Sequence, residues 1–181
     1  MINTLLVQGI GAIGYSTLAL SYYKKKKEQI LFMQIIAYIF FTIHYYLLNG
    51  ITGAICNLIG LVALISIYIF EKYNLGNKLF ISITCMLAVF IINIITFQNF
   101  FSIFPIIASI IVIISFLDNN EKNIRIIGVI AAVCWLIYAI AYKSYVAIVF
   151  EVFTLISVLI AYIKNLERLI KCLPNFFILY L

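Results

Sequence analysis

Five polar or aromatic residues lie inside the apolar stretches of this 181-residue chain, at positions where they could do chemistry: His44, Asn57, Trp135, Tyr138 and Glu151. Glu151 is the only acidic residue well inside such a stretch. A charge there costs several kcal/mol unless it is paired, hydrated or neutralised, so an intramembrane carboxylate marks a functional site by default or is held protonated. The amide of Asn57 either contacts a solute or makes an interhelical hydrogen bond. His44, of a type that ordinarily titrates near about 6.5, is either a proton carrier and partner for Glu151 or a group bonded to a backbone carbonyl or interfacial water. Trp135 is too deep for an interfacial anchor, and either fills core or stacks on a ligand.

Helical spacing groups these residues. Gly53, Asn57 and Gly60 share one helix face, as do Ala147, Glu151 and Thr154. Small and polar faces of this kind allow helices to approach closely or line a cavity. Gly11 and Pro105 are candidate hinges, and the alternative for Pro105 is a harmless place in a first helical turn.

The elements carrying them follow from composition. With 66% hydrophobic residues, 10% charged residues and a mean hydropathy of +1.20, too few polar groups remain to coat a soluble globule. Apolar runs near residues 3–23, 30–48, 52–70, 79–97, 101–117, 124–142 and 145–163 predict seven transmembrane helices, each close to the ~20 residues that cross a bilayer. The strict alternation of a membrane β-barrel is absent, so the expected fold is an all-α membrane bundle in a single domain, 1–181.

Charge orients it. With the amino terminus outside, the inner loops hold Lys24 to Lys27, Lys72, Lys78, Lys122 and Arg125, and the inner tail holds Lys164, Arg168 and Lys171; only Lys143 falls outside. That asymmetry predicts N-terminus outside, C-terminus inside and an odd number of crossings. The net charge of +6 is therefore topological. No groove-entering element or basic–aromatic interleaving supports a nucleic-acid partner.

Sliding the chain by 94 residues lays 8–69 on 102–163 without a gap, with Ser21/Ser115, Ile43/Ile137, Leu61/Leu155 and Tyr68/Tyr162 identical. Asn57 then falls on Glu151, His44 on Tyr138 and Gly11 on Pro105. The chain reads as repeat 1 (about 3–70), a linker helix (about 79–97), repeat 2 (about 101–163) and an inner tail (164–181). Because the linker adds a crossing, the repeats are parallel, an arrangement whose sites lie at the repeat interface near the midplane. Asn93, Gln98 and Asn99 read as outer-boundary residues. Leu173 to Leu181 is too short to span and is expected to lie at the inner interface or to be poorly ordered.

Cys56, Cys85, Cys134 and Cys172 have no paired metal-ligand spacing, so neither a zinc site nor a disulfide framework is expected, and no cofactor. The first apolar run lacks a basic leader and a small-residue cleavage site, and is expected to stay in the chain. Catalytic aspartate pairs, a Ser/His dyad and HExxH are absent, so an enzyme is not expected.

Gln8-Gly9-x-Gly11, His44-Tyr45-x-Leu47-Leu48-x-Gly50, Asn57, Cys134-Trp135 and Glu151 together resemble the YgjV-type bacterial inner-membrane protein family over roughly 6–165. The architecture is similar, more distantly, to SWEET, SemiSWEET and PnuC-like carriers. The resemblance implies a multi-pass protein of the bacterial cytoplasmic membrane. In SWEET-like carriers paired asparagines on the third helix of each bundle contact substrate and prolines act as hinges. Here Asn57 matches the first asparagine and Glu151 replaces the second, while Gly11 replaces one proline and Pro105 keeps the other. A carboxylate at that place implies a cationic or amine-bearing solute, or proton coupling.

Two functions of different class follow. One is a carrier that moves a small polar solute between two three-helix units around Asn57, Glu151, His44, Trp135 and Tyr138. The other is a non-transporting scaffold or partner-binding subunit. A hydrated cavity reaching Glu151 favours the first and a dry interface the second. The bilayer is a partner in both, and homo-oligomerisation is compatible with either.

Overall fold

The computed structural model describes residues 4–21, 23, 24, 26–73, 75, 77–117 and 121–156, with residues 121–126 as backbone only. The expected inner tail, residues 157–163 of the seventh run, and the side chains of Lys122 and Arg125 lie outside the described residues.

The described residues fold as helices: α1 (Thr4–Ser21), α2 (Lys27–Leu47), α3 (Ile51–Tyr73), α4 (Lys78–Ile95), a 3-10 turn (Phe100–Ser102) leading into α5 (Ile103–Leu117), α6 (Glu121–Ala141) and α7 (Tyr145–Ile156). No strand occurs among them. Five are long and apolar enough to cross a membrane, α5 when taken with its 3-10 turn. The apolar parts of α6 and α7 within the described residues, Ile127–Ala141 and Tyr145–Ile156, are shorter. Boundaries move by a few residues from the expected runs. Lys27, expected in a loop, opens α2, and α3 runs on through Glu71 to Tyr73, because charged side chains are tolerated in the terminal turns, where they reach polar surroundings.

Two turns share one geometry. Between α2 and α3, Asn49 adopts a left-handed conformation (φ 60°), Asn49 N donates to Tyr46 O and Gly50 N to Tyr45 O at 2.9 Å. Between α6 and α7, Lys143 (φ 54°) donates to Ile140 O and Ser144 N to Ala139 O at 2.9 Å. Both are Schellman caps, in which the last helical carbonyls are satisfied by the two residues that follow the C-cap. Every residue of one turn lies 94 positions from its counterpart in the other. The same offset carries the bounds of α2 onto α6. It also relates Ser21, whose hydroxyl donates to Leu18 O, to Ser115, whose hydroxyl donates to Val112 O.

Helix order in space follows small residues. α2 packs between α1 and α3, α5 against α6, and α3 against α4 and α5. A β-carbon on Gly11 would stand 2.8 Å from the His44 ring, and one on Gly60 2.6 Å from Tyr38, so the bare glycines are what let α1 and α3 meet the rings of α2. Gly11 lies buried within an unbroken α1. Pro105 is buried in the first turn of α5, where its missing N–H is harmless.

The two ends of the bundle differ. The turn end holds both Schellman turns and the α4–α5 connection. The lysine end holds Lys27, whose Nζ lies 2.7 Å from the Glu71 carboxylate and donates to Phe116 O, and Lys78, 2.9 Å from the same carboxylate. On the outside of α4, Phe80, Leu87, Phe90, Ile94 and Ile95 are exposed, an apolar surface suited to lipid.

Candidate functional site

The turn end is closed by side chains that cap helices on other elements. The first amides of a helix have no intrahelical acceptor. In α7 the Val146 amide donates to Gln8 Oε1 (3.2 Å), while Gln8 Nε2 donates to Lys143 O (3.2 Å). In α3 the Thr52 amide donates to Gln98 Oε1 (3.4 Å), while Gln98 Nε2 donates to Asn49 O (3.1 Å). One carboxamide thus clamps each turn, and the clamped atoms, Thr52/Val146 and Asn49/Lys143, again lie 94 residues apart. The Gly53 amide donates to the Tyr138 hydroxyl at 2.9 Å.

His44 belongs to this layer. Its Nδ1 is 2.8 Å from Val7 O, an acceptor only, so Nδ1 carries the proton and Nε2 accepts from the Ser144 hydroxyl at 2.6 Å. The structure thus gives His44 a backbone-carbonyl bond, the alternative to partnering Glu151, and places neither His44 nor Tyr138 in the lining that Glu151 shares. Both are buried, bonded to backbone or to the neighbouring turn, and outside the lining of the cavity below. Asn93, expected at the boundary, is buried within α4 and donates Nδ2 to Val89 O, whereas Gln98 and Asn99 do lie in the α4–α5 connection.

Beneath the clamps lies a cavity of about 100 Å³ that runs from Asn57 and Glu151 toward the lysine end, where Ser115 and Phe116 line it. Asn57, Glu151 and Trp135 all face it. So do Tyr15, Gln34, Tyr38, Phe41, Tyr45 and Phe150, which the reading of the sequence did not single out. Gln34 was findable, being an amide in the middle of an apolar run. The tyrosines were not, since helical aromatics fill cores as readily as they wall a pocket. Space opens because α6 presents Gly128, Ala131 and Ala132 where α2 presents Gln34 and Tyr38. The 94-residue offset pairs Gln34 with Gly128, Tyr38 with Ala132, Phe41 with Trp135 and Asn57 with Glu151, and both members of each pair line the cavity.

Its polar atoms include acceptors open to a guest. Asn57 Nδ2 donates to Gly53 O, leaving Oδ1 for a guest. The Thr154 and Ser115 hydroxyls spend their protons on Phe150 O and Val112 O. Gln34 is 5% exposed and its Oε1 has no partner. Glu151 is 7% exposed and lies near the Tyr15 hydroxyl. The Tyr45 hydroxyl stands near those of Tyr15 and Ser144 but reaches no partner at hydrogen-bond distance. Around them Tyr15 stacks on Phe150 (centroids 5.5 Å) and Tyr45 tilts against Trp135 (5.5 Å). None of the described lining residues is basic, and Glu71 holds ion pairs with Lys27 and Lys78. Among the same residues no three His, Cys, Asp or Glu side chains gather as a metal site.

Apolar helices carried on multiple passes around a small polar cavity define the class, an α-helical integral membrane protein. The chain belongs to the Imp-YgjV family of bacterial inner membrane proteins, whose model matches residues 5–168. It is a multi-pass protein of the bacterial inner membrane. Neither the curated proteins nor the solved structures hold a match to it.

Proposed function

We propose that the protein is a carrier for a small polar solute, which binds in the cavity at Asn57, Glu151, Gln34 and Trp135 and passes by alternating access. The observation that carries this reading is a buried cavity whose walls come in offset-related pairs, polar at Asn57/Glu151, closed at the turn end by reciprocal glutamine clamps and extending toward the lysine end. A packed scaffold has no need of an unpartnered Gln34 carbonyl beside a buried carboxylate, since unmet polar groups of this kind cost free energy.

In this reading the chain forms seven crossings, as two parallel three-helix units joined by α4, with the turn end and amino terminus outside. The matching Schellman turns and serine bonds support the repeat, and the lysine asymmetry supports the orientation. The clamped turn end is the closed gate, and Lys27, which joins Glu71 to the Phe116 carbonyl, stands at the other mouth. In this reading the protein binds and moves its solute and does not transform it.

The test is a thermal-shift screen of the purified protein against sugars, nucleosides, vitamins and amines, repeated on Glu151→Gln and Asn57→Ala, followed by counterflow of any hit in proteoliposomes. A ligand at 100 times its Kd should stabilise the wild type by about 2.7 kcal/mol, and the effect should be lost in both variants. If no solute stabilises the protein and Glu151→Gln is at least as stable as wild type, the scaffold reading takes its place.

A further inference from the structure

The geometry points to a small alkylammonium ion, bearing at least one N–H, as the solute class of this cavity. The inference rests on the carrier reading for the site and adds what the site selects.

Three observations converge. First, the cavity presents acceptors: the Glu151 carboxylate, the Gln34 Oε1 with no partner, and the Asn57 Oδ1, while the protons of Ser115 and Thr154 are already committed to backbone carbonyls. The Tyr45 hydroxyl can serve as donor or acceptor. A guest that brings donors can satisfy these acceptors, and an ammonium brings up to three. Second, the site holds a buried carboxylate with no basic residue among the described residues that line it. A cationic guest supplies a countercharge that the described lining residues do not, whereas a sugar or an anion supplies none. Third, the walls are aromatic, including Tyr15, Phe41, Trp135 and Phe150, and ring faces attract desolvated cations. Size favours a small guest. About 100 Å³ is less than the roughly 150 Å³ of an apolar cavity that admits benzene, so the guest has about five heavy atoms or fewer.

The chain contains one tryptophan, and it lines the cavity, so the emission of Trp135 reports on occupancy. The full-length protein in detergent is titrated with tert-butylammonium, with its neutral isostere tert-butyl alcohol, and with tetramethylammonium, a cation without N–H. The expected result is a saturable change with tert-butylammonium and affinity at least about tenfold weaker for the alcohol, the scale of a lost charge-assisted hydrogen bond. Tetramethylammonium should fall between them, and Glu151→Gln should abolish the response while eluting as wild type on gel filtration. If that variant does not fold, the cation-to-alcohol ratio in the wild type, and its fall in Gln34→Leu, decide the question.

Equal response to the alcohol, a response that survives in folded Glu151→Gln, or no response to any amine overturns the inference. Neutral solutes that bind and exchange in proteoliposomes while amines do not would overturn it and leave the carrier standing. An amine that binds through Glu151 but never crosses the membrane would do the reverse.

Discussion

The Tyr138 hydroxyl accepts a hydrogen bond from the Gly53 amide at 2.9 Å, and the ring lies so close that a β-carbon on residue 53 would overlap it. A residue of α6 thus caps the first turn of α3, and glycine is the side chain that permits the approach. Tyr138→Phe should cost about 1–2 kcal/mol by orphaning that amide. Gly53→Ala should cost more, since α3 must shift to seat a methyl. Thermal unfolding in detergent measures both, and the opposite ranking would remove the ring contact as a constraint.

His44 bonds Val7 and Ser144 and lines no cavity. His44→Leu should lower stability by about 1–3 kcal/mol, because the Ser144 hydroxyl and the Val7 carbonyl lose their buried partner. Solute affinity of the folded fraction should stay at the wild-type value. A titration of Trp135 emission checks this, and a large loss of affinity at unchanged stability would return His44 to the site.

Gln8 and Gln98 each satisfy one helix-start amide on a different element. Gln98→Leu should speed amide exchange around residues 50–54 and leave 144–148 protected, and Gln8→Leu should do the converse. Hydrogen exchange read by peptide mass spectrometry resolves the two segments. Exchange spreading over both turns in either variant would mean that the clamps act as one unit.

Glu71 takes both Lys27 and Lys78 at the lysine end, and its side chain is about a quarter exposed (26%). Glu71→Gln should lower stability by about 1 kcal/mol or less, with the difference shrinking as salt rises. A melting series in low and high salt separates this from a packing defect, which would not respond to salt.

Much of this protein is legible in one dimension. Hydropathy and run length give the membrane class and the helices within a few residues, because lipid accepts only backbone that is satisfied internally. The 94-residue offset anticipates the matched turns at Asn49 and Lys143, since helix length and turn chemistry are local properties. Asn57, Glu151 and Trp135 are visible as polar or bulky residues in costly places. Which of these share a space is another matter. The sequence leaves His44 either a partner for Glu151 or a group bonded to a backbone carbonyl, and the packing of α1 and the α6–α7 turn puts a carbonyl and a hydroxyl on its two nitrogens. Tyr15, Tyr38 and Tyr45, whose roles no local pattern reveals, wall the cavity together with Gly128 and Ala132. Composition and period fix what each helix is. Only the tertiary fold decides which polar atoms meet a partner and which are left facing an open space, because that depends on contacts between residues far apart in the chain.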